Sequence, residues 1–247
     1  MSLSGNPCVA ILGATGGVGS ALARILSKRE VKLFLIGRDA TKLSQLGEEL
    51  KASTRLIDHA GSFQIAEALR EAKNSLGRLD GIANCIGSLL LKPAHLTTDA
   101  EWTSVLDINL GSAFATVRAA GQLMDGGSVV LVSSAAARIG LANHEAIAAA
   151  KAGIEGLTRS AAATYASRGL RFNAVAPGLL KTGLTRRLWE NESAAAASAA
   201  MHPLGRLGEP EDVAGLIAWL LDPVNTWITG QVIGVDGGLA DLKTKNR

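Results

Sequence analysis

Short apolar runs and helical patterns alternate along the whole chain, and few architectures accommodate that rhythm. Cys8–Leu12, Lys32–Ile36, Arg55–Ile57, Gly81–Asn84, Ser128–Val132, Arg171–Val175 and Gln231–Val235 read as strands. Helical patterns lie between them at Gly17–Lys28, Thr41–Lys51, Gln64–Leu76, Glu101–Leu123, Glu145–Ala166 and Pro210–Leu221. Strands of about five residues that read as near-continuous apolar runs are buried on both faces. Intervening helices are the crossovers that parallel pairing requires. The expectation is an α/β chain with a three-layer, doubly wound parallel sheet of seven strands, forming one domain over residues 1–247. No linker or repeat divides it. Ser193–Ala200, nearly all alanine and serine, lies in a long stretch over residues 180–205. That stretch reads as a substrate lid, or its helix as a plain surface helix.

Composition narrows the function. Lysine and arginine total 25 against 22 acidic residues and are scattered, so no nucleic-acid partner is expected. No apolar run approaches the ~20 residues of a spanning helix, so no membrane partner is expected either. The start, Met1 to Pro7, lacks the basic and apolar parts of a signal peptide. Cys8 and Cys85 are too few for a disulfide scaffold and read as buried thiols of a cytoplasmic protein. No metal site is expected. The chain holds 28 glycines but only 4% aromatic residues, a balance suited to close backbone approach around a nucleotide. Tyr165 is the only tyrosine, so any chemistry that needs a phenol has one candidate.

Between the first strand and first helix stands Gly13-Ala14-Thr15-Gly16-Gly17-Val18-Gly19. A tight glycine turn opening a helix lets phosphate approach backbone amides and the helix's positive end, so these residues are candidates for dinucleotide binding. The second strand ends Ile36-Gly37-Arg38-Asp39. A site for NAD wants a carboxylate directly after the strand. Gly37 stands there, and the planar cation of Arg38 suits a 2′-phosphate, which favours NADP(H) over NAD(H). Asp39 is close enough to compete with that assignment.

Further motifs follow in order: Asn84-Cys85-Ile86-Gly87, then Asn109 in Asp107-Ile108-Asn109-Leu110-Gly111, then Ser133-Ser134. Pro177-Gly178 with Leu180 and Thr182 comes next, then Pro203-Leu204-Gly205-Arg206-Leu207-Gly208-Glu209-Pro210 and Val235-Asp236-Gly237-Gly238. From about Pro7 to Ala240 the chain resembles the short-chain dehydrogenase/reductase family, and its β-ketoacyl reductase-like members in particular. The resemblance implies a Rossmann-type fold with NADP(H) held by Gly13, Thr15, Gly16, Gly17, Val18, Gly19, Arg38, Asp58, Asn84, Gly87, Lys151, Pro177, Gly178, Leu180 and Thr182. Asp58 would contact adenine, although a capping aspartate is the competing reading. The resemblance also implies catalytic roles for Asn109, Ser134 and Lys151.

One family feature is missing. The resemblance calls for a Tyr-x-x-x-Lys pair on one helix, where the lysine lowers the phenol pKa and the phenol exchanges a proton with the substrate oxygen. Here Lys151 is in place, but Ile147 stands where the tyrosine would be, thirteen residues after Ser134. Tyr165 lies fourteen residues beyond Lys151, about 20 Å further along a continuous helix. His144, seven residues before Lys151, returns to within about 20° of the same helix face. It resembles the enoyl reductase arrangement with histidine for tyrosine. Three readings stay open: an oxidoreductase acting on a carbonyl or conjugated enoyl group with His144 as acid, a weak oxidoreductase using Ser134 and Lys151, and an inactive NADP(H)-binding sensor or structural subunit. Leu184, Leu188, Trp189 and Met201 hint at a lipophilic or acyl small-molecule substrate, with Arg186 and Arg187 nearby for an anionic group. The Glu101–Leu123 and Glu145–Ala166 helices are those through which relatives assemble, which implies a homotetramer or homodimer.

Overall fold

The computed structural model describes residues 6–58 and 60–243. Most of the Met1 to Pro7 start therefore lies outside the described residues. Seven parallel strands form one sheet: β1 (Cys8–Leu12), β2 (Lys32–Gly37), β3 (Ser53–Leu56), β4 (Gly81–Asn84), β5 (Gly127–Val132), β6 (Leu170–Pro177) and β7 (Val232–Val235). Their order is β3-β2-β1-β4-β5-β6-β7. The chain therefore winds outward one way, returns to the centre, and winds the other way. That reversal puts a crevice between the carboxyl ends of β1 and β4.

Period-two alternation decides which helices cover which face. Ala10 and Leu12 of β1, with Phe34 and Ile36 of β2, pack under α3 (Ser62–Leu76), α5 (Ser112–Leu123) and α6 (Glu145–Tyr165). Val9, Ile11, Leu33 and Leu35 pack under α1 (Gly17–Ser27), α2 (Ala40–Leu50) and α8 (Pro210–Leu221). Both faces are covered, as near-continuous apolar strands require.

Two elements differ from the sequence expectation, and a third agrees with it. The third strand is Ser53–Leu56 rather than Arg55–Ile57, and all four residues are exposed. It is an edge strand, so its polar side chains carry no burial cost, and its apolar reading was wrong. The stretch expected as one helix over Glu101–Leu123 begins earlier, as α4 (Asp99–Leu106), because Thr98 and Glu101 form a reciprocal capping box. It is then interrupted by one wider π turn at Asp107–Gly111 before α5. The alanine-serine segment is a helix, α7 (Glu192–Ala200), with no buried residue.

Tyr165 ends α6 as a packing residue. Its ring is 5.5 Å from that of Phe172, and the Arg168 guanidinium sits 5.7 Å from its centroid. Its phenol lies over Gly121 of α5, where a Cβ would fall 2.6 Å from the oxygen. Gly121→Ala should therefore destabilise the fold by about 1–3 kcal/mol despite alanine's better helix propensity, through overpacking. Urea unfolding measures this, and nucleotide binding should stay unchanged.

Candidate active site

The crevice is built around Gly13. Its φ is +74°, and a Cβ there would fall 2.8 Å from the carbonyl carbon of Cys85. Only a glycine lets the end of β1 touch the end of β4 this closely. Gly16 N donates to Gly13 O at 3.0 Å, and a Cβ on Gly19 would sit 2.3 Å from that same oxygen. The turn is thus closed by backbone alone. Gly16 caps α1 without any side-chain hydrogen bond, so the first amides of α1 are left for an anion. Across the crevice, a Cβ on Gly17 would meet the Thr182 methyl at 2.8 Å and Pro210 at 3.4 Å. Thr182, on the segment that follows β6, is thereby brought to the glycine turn. This cradle of glycines fits a dinucleotide pyrophosphate.

The two side chains after the second strand are placed differently. Asp39 caps α2, accepting from Lys42 N at 3.0 Å and pairing with the Lys42 ammonium at 3.1 Å. The Lys42 amide bond, ahead of the Lys42 ammonium, holds its carboxyl below the usual range. Arg38 is exposed and makes no hydrogen bond or ion pair among the described residues. Gly37 packs against Thr15, where a Cβ would meet the methyl carbon at 3.0 Å and the hydroxyl at 3.2 Å. Asp58 follows β3 in an exposed bend, and Ile57 N donates to Gly37 O at 2.9 Å, which carries the pairing of β2 and β3 up to it.

Asn84 is 3% exposed, and its amide binds outward from the crevice. It donates to Thr116 Oγ1 at 3.0 Å and Ser112 Oγ at 3.3 Å, and accepts from Ile86 N at 2.9 Å. It anchors the loop after β4 on α5. Asn109 sits in the π turn and does the same from the other side. Its amide donates to Val105 O and Ser88 Oγ, each at 2.9 Å, and its oxygen accepts from Ser88 N at 3.3 Å. Gly87 lies between, since a Cβ there would fall 3.3 Å from Asn109 Oδ1 and 3.7 Å from Lys151 Nζ. A π turn shifts the side-chain register of a helix and commonly marks a functional position.

Lys151 is 6% exposed and has no carboxylate partner among the described residues. Its ammonium donates to Val132 O at 2.8 Å. Its other two N–H bonds have no acceptor among the described residues. Burial pushes its pKa down to about 8, with Cys85 nearby opposing the shift. Burial likewise pushes the Cys85 thiol up to about 12. Ser134, just past β5, accepts from Ala136 N at 3.1 Å, and its own proton has no acceptor among the described residues. Ser133 is turned away, donating to Lys151 O and Glu155.

His144 stands at the N-cap of α6 and is half-buried. Its Nδ1 lies 2.7 Å from Ala142 O. A carbonyl only accepts, so this nitrogen carries a proton, and Nε2 is the ring atom left without a partner among the described residues. Ile147 is 3% exposed, in an apolar cluster with Leu89, Leu90, Val105, Leu106 and Leu110. Two anchors escaped the sequence reading. Lys92 binds Glu101 at 2.8 Å and with the Thr98 amide lowers its pKa to about 2, tying the loop after β4 to α4. The other is His202, 4% exposed beneath Gly178. The Thr98-x-x-Glu101 signature was legible for the first. No local pattern marks the second.

With a glycine cradle, an anion-ready helix end and a buried lysine at the switch point, the architecture is that of a nicotinamide-nucleotide oxidoreductase. The comparisons agree. Residues 13–240 match the family model described as enoyl-(acyl carrier protein) reductase. A tropinone reductase homolog of Arabidopsis thaliana is 33% identical, over 96% of this chain and 93% of that protein. The 3-oxoacyl-[acyl-carrier-protein] reductase of Thermotoga maritima is 32% identical, over 97% and 99%. Among solved structures, ElxO with NADP bound superposes with a TM-score of 0.89 at 26% identity, covering 95% of this chain and 99% of that one. The chain belongs to the short-chain dehydrogenase/reductase family, and it is an oxidoreductase by kinship.

A lysine depressed from 10.5 to about 8 has a stability consequence. Below pH 8 the folded chain carries a buried ammonium, a cost of up to about 3 kcal/mol. Between pH 8 and 10.5 the unfolded chain binds more protons, so stability rises with pH and the cost disappears. Lys151→Met should therefore stabilise the protein at pH 7 by about 1–3 kcal/mol, an advantage gone near pH 10.5. Chemical denaturation at several pH values checks both.

Proposed function

We propose that this protein is an NADP(H)-dependent oxidoreductase that transfers hydride to a carbonyl or conjugated enoyl group of a small acyl or lipophilic substrate. The cofactor would supply the hydride. Arg38 would hold the 2′-phosphate, Gly13 to Gly19 the pyrophosphate, and Pro177 to Thr182 the nicotinamide end. The observation that carries the proposal is Lys151: a buried cation without a carboxylate, near 8, with two unused N–H bonds. Such a group costs stability, and its use is to meet negative charge on a substrate oxygen. Ser134 offers a second donor. Together they would hold and protonate a developing enolate or alkoxide where no phenol stands.

His144 is the less direct candidate, since Lys151 and Ser134 already supply donors. Its Nδ1 is taken by Ala142 O, which leaves Nε2 as the ring atom that could meet a substrate. Apolar contacts of Ile147 with Leu89 and Leu90 favour a hydrocarbon portion of substrate beside it. The same contacts favour the alternative, a nucleotide-binding sensor or structural subunit without turnover, since no titratable group stands at that position. A homotetramer or homodimer remains part of the proposal, with Trp102 and Phe114 exposed on α4 and α5.

Two experiments test it. Arg38→Ala should weaken NADPH binding about tenfold or more and leave NADH within about twofold, read by nucleotide fluorescence. Equal losses would remove the NADP(H) preference. The second is a reductase screen of 3-ketoacyl, 2-enoyl and 2,4-dienoyl thioesters with wild type, Lys151→Met, His144→Ala and Ile147→Tyr. Wild-type turnover should fall about 10²-fold or more in Lys151→Met and change little in His144→Ala. Activity found only in Ile147→Tyr would favour the sensor instead.

A further inference from the structure

We infer that His202 is a positioning residue that locks the α7 lid to the Gly178–Thr182 segment, so that the two move as one unit. This rests on the proposal that Gly178–Thr182 borders the nicotinamide. Such a lock matters because α7 has no fully buried residue and is seated only through the half-buried Ala194, Ala195, Ser198 and Ala199. Its ends carry the hydrogen bonds that join it to the Gly178–Thr182 segment. At the leading end, Trp189 Nε1 donates to Thr182 O at 3.2 Å. At the trailing end stands His202, whose ring is almost wholly enclosed.

Both ring nitrogens are used, and their partners dictate the tautomer. Nδ1 lies 2.8 Å from Ser198 O, in the last turn of α7, and must donate. Nε2 accepts from Leu179 N at 3.2 Å. One imidazole therefore bridges the lid helix to the backbone just past β6. Gly178 makes room for it: a Cβ there would fall 2.7 Å from Nε2. The far wall is Gly237, in a positive-φ turn, whose carbonyl accepts from Leu204 N at 3.1 Å. Beside the ring lies a cavity of ≈ 390 Å³, lined in part by Leu179, Leu204, Arg206 and Leu242. The same segment that touches Gly17 through Thr182 is thus tied to both ends of the lid.

The test is hydrogen exchange of the full-length protein, with no nucleotide added, on wild type, His202→Leu, His202→Gln and Gly178→Ala. His202→Leu should speed exchange of Leu179–Thr182 and of α7 together, each about tenfold, with β1 to β5 unchanged. His202→Gln, which keeps one donor and one acceptor, should restore most of the protection. If His202→Leu does not fold, Gly178→Ala, which displaces the ring without removing it, should loosen the same two segments. Loosening of one segment alone, or of neither, overturns the lock. A second readout applies if the thioester screen finds turnover: His202→Leu should raise KM about tenfold and change kcat less than about threefold. A fall in kcat with KM unchanged overturns the lock. Absence of turnover in every variant would count against the catalytic proposal, and the exchange result would still decide the lock.

Discussion

Everything at the carboxyl edge of the sheet depends on one contact, the backbone of Gly13 lying directly against the backbone of Cys85 and Ile86. Strand order reverses between β1 and β4, so the helices leaving those strands diverge and a crevice must open there. The glycine contact sets its depth. With no side chain in the way, the turn folds tightly under α1, and the helix end stands free of any side-chain cap. Thr182 and Pro210, from far along the chain, then close on Gly17. Any side chain at Gly13 would push β4 away and move Gly87, Asn109 and Lys151 with it.

Against that frame the buried lysine is the costly feature. A cation with no counter-charge is disfavoured in a protein interior, and folding alone gives no reason to keep it. The surroundings are otherwise well satisfied: no described buried side-chain nitrogen or oxygen lacks a partner. Asn84 and Asn109 each use their full amide to fix the loop after β4. Ile147, one turn before the lysine, belongs to an apolar cluster that a phenol would have had to share.

The layered fold was largely readable from apolar periodicity, because burial on both faces leaves no polar alternation to confuse it. Where that condition fails, so did the sequence reading: β3 is an edge strand and all four of its residues are exposed. Asp107–Gly111 is equally instructive. A wider turn keeps the helical pattern nearly intact, so nothing in the spacing marked the break between α4 and α5. The different placement of Arg38 and Asp39 was only half legible, since the capping bond to the Lys42 amide depends on where α2 begins.

Local order along the chain decided the glycine turn, the parallel sheet, the position of Lys151 and the lack of a phenol near it. These follow from short-range pattern, which folding cannot rearrange. The depressed pKa of Lys151, the Nδ1 bond of His144 and the bridge made by His202 belong to the tertiary structure alone. Each depends on dielectric and on partners brought from other segments, or on an exact loop geometry. Ser198, Leu179 and Gly237 meet around one imidazole only after the sheet has closed.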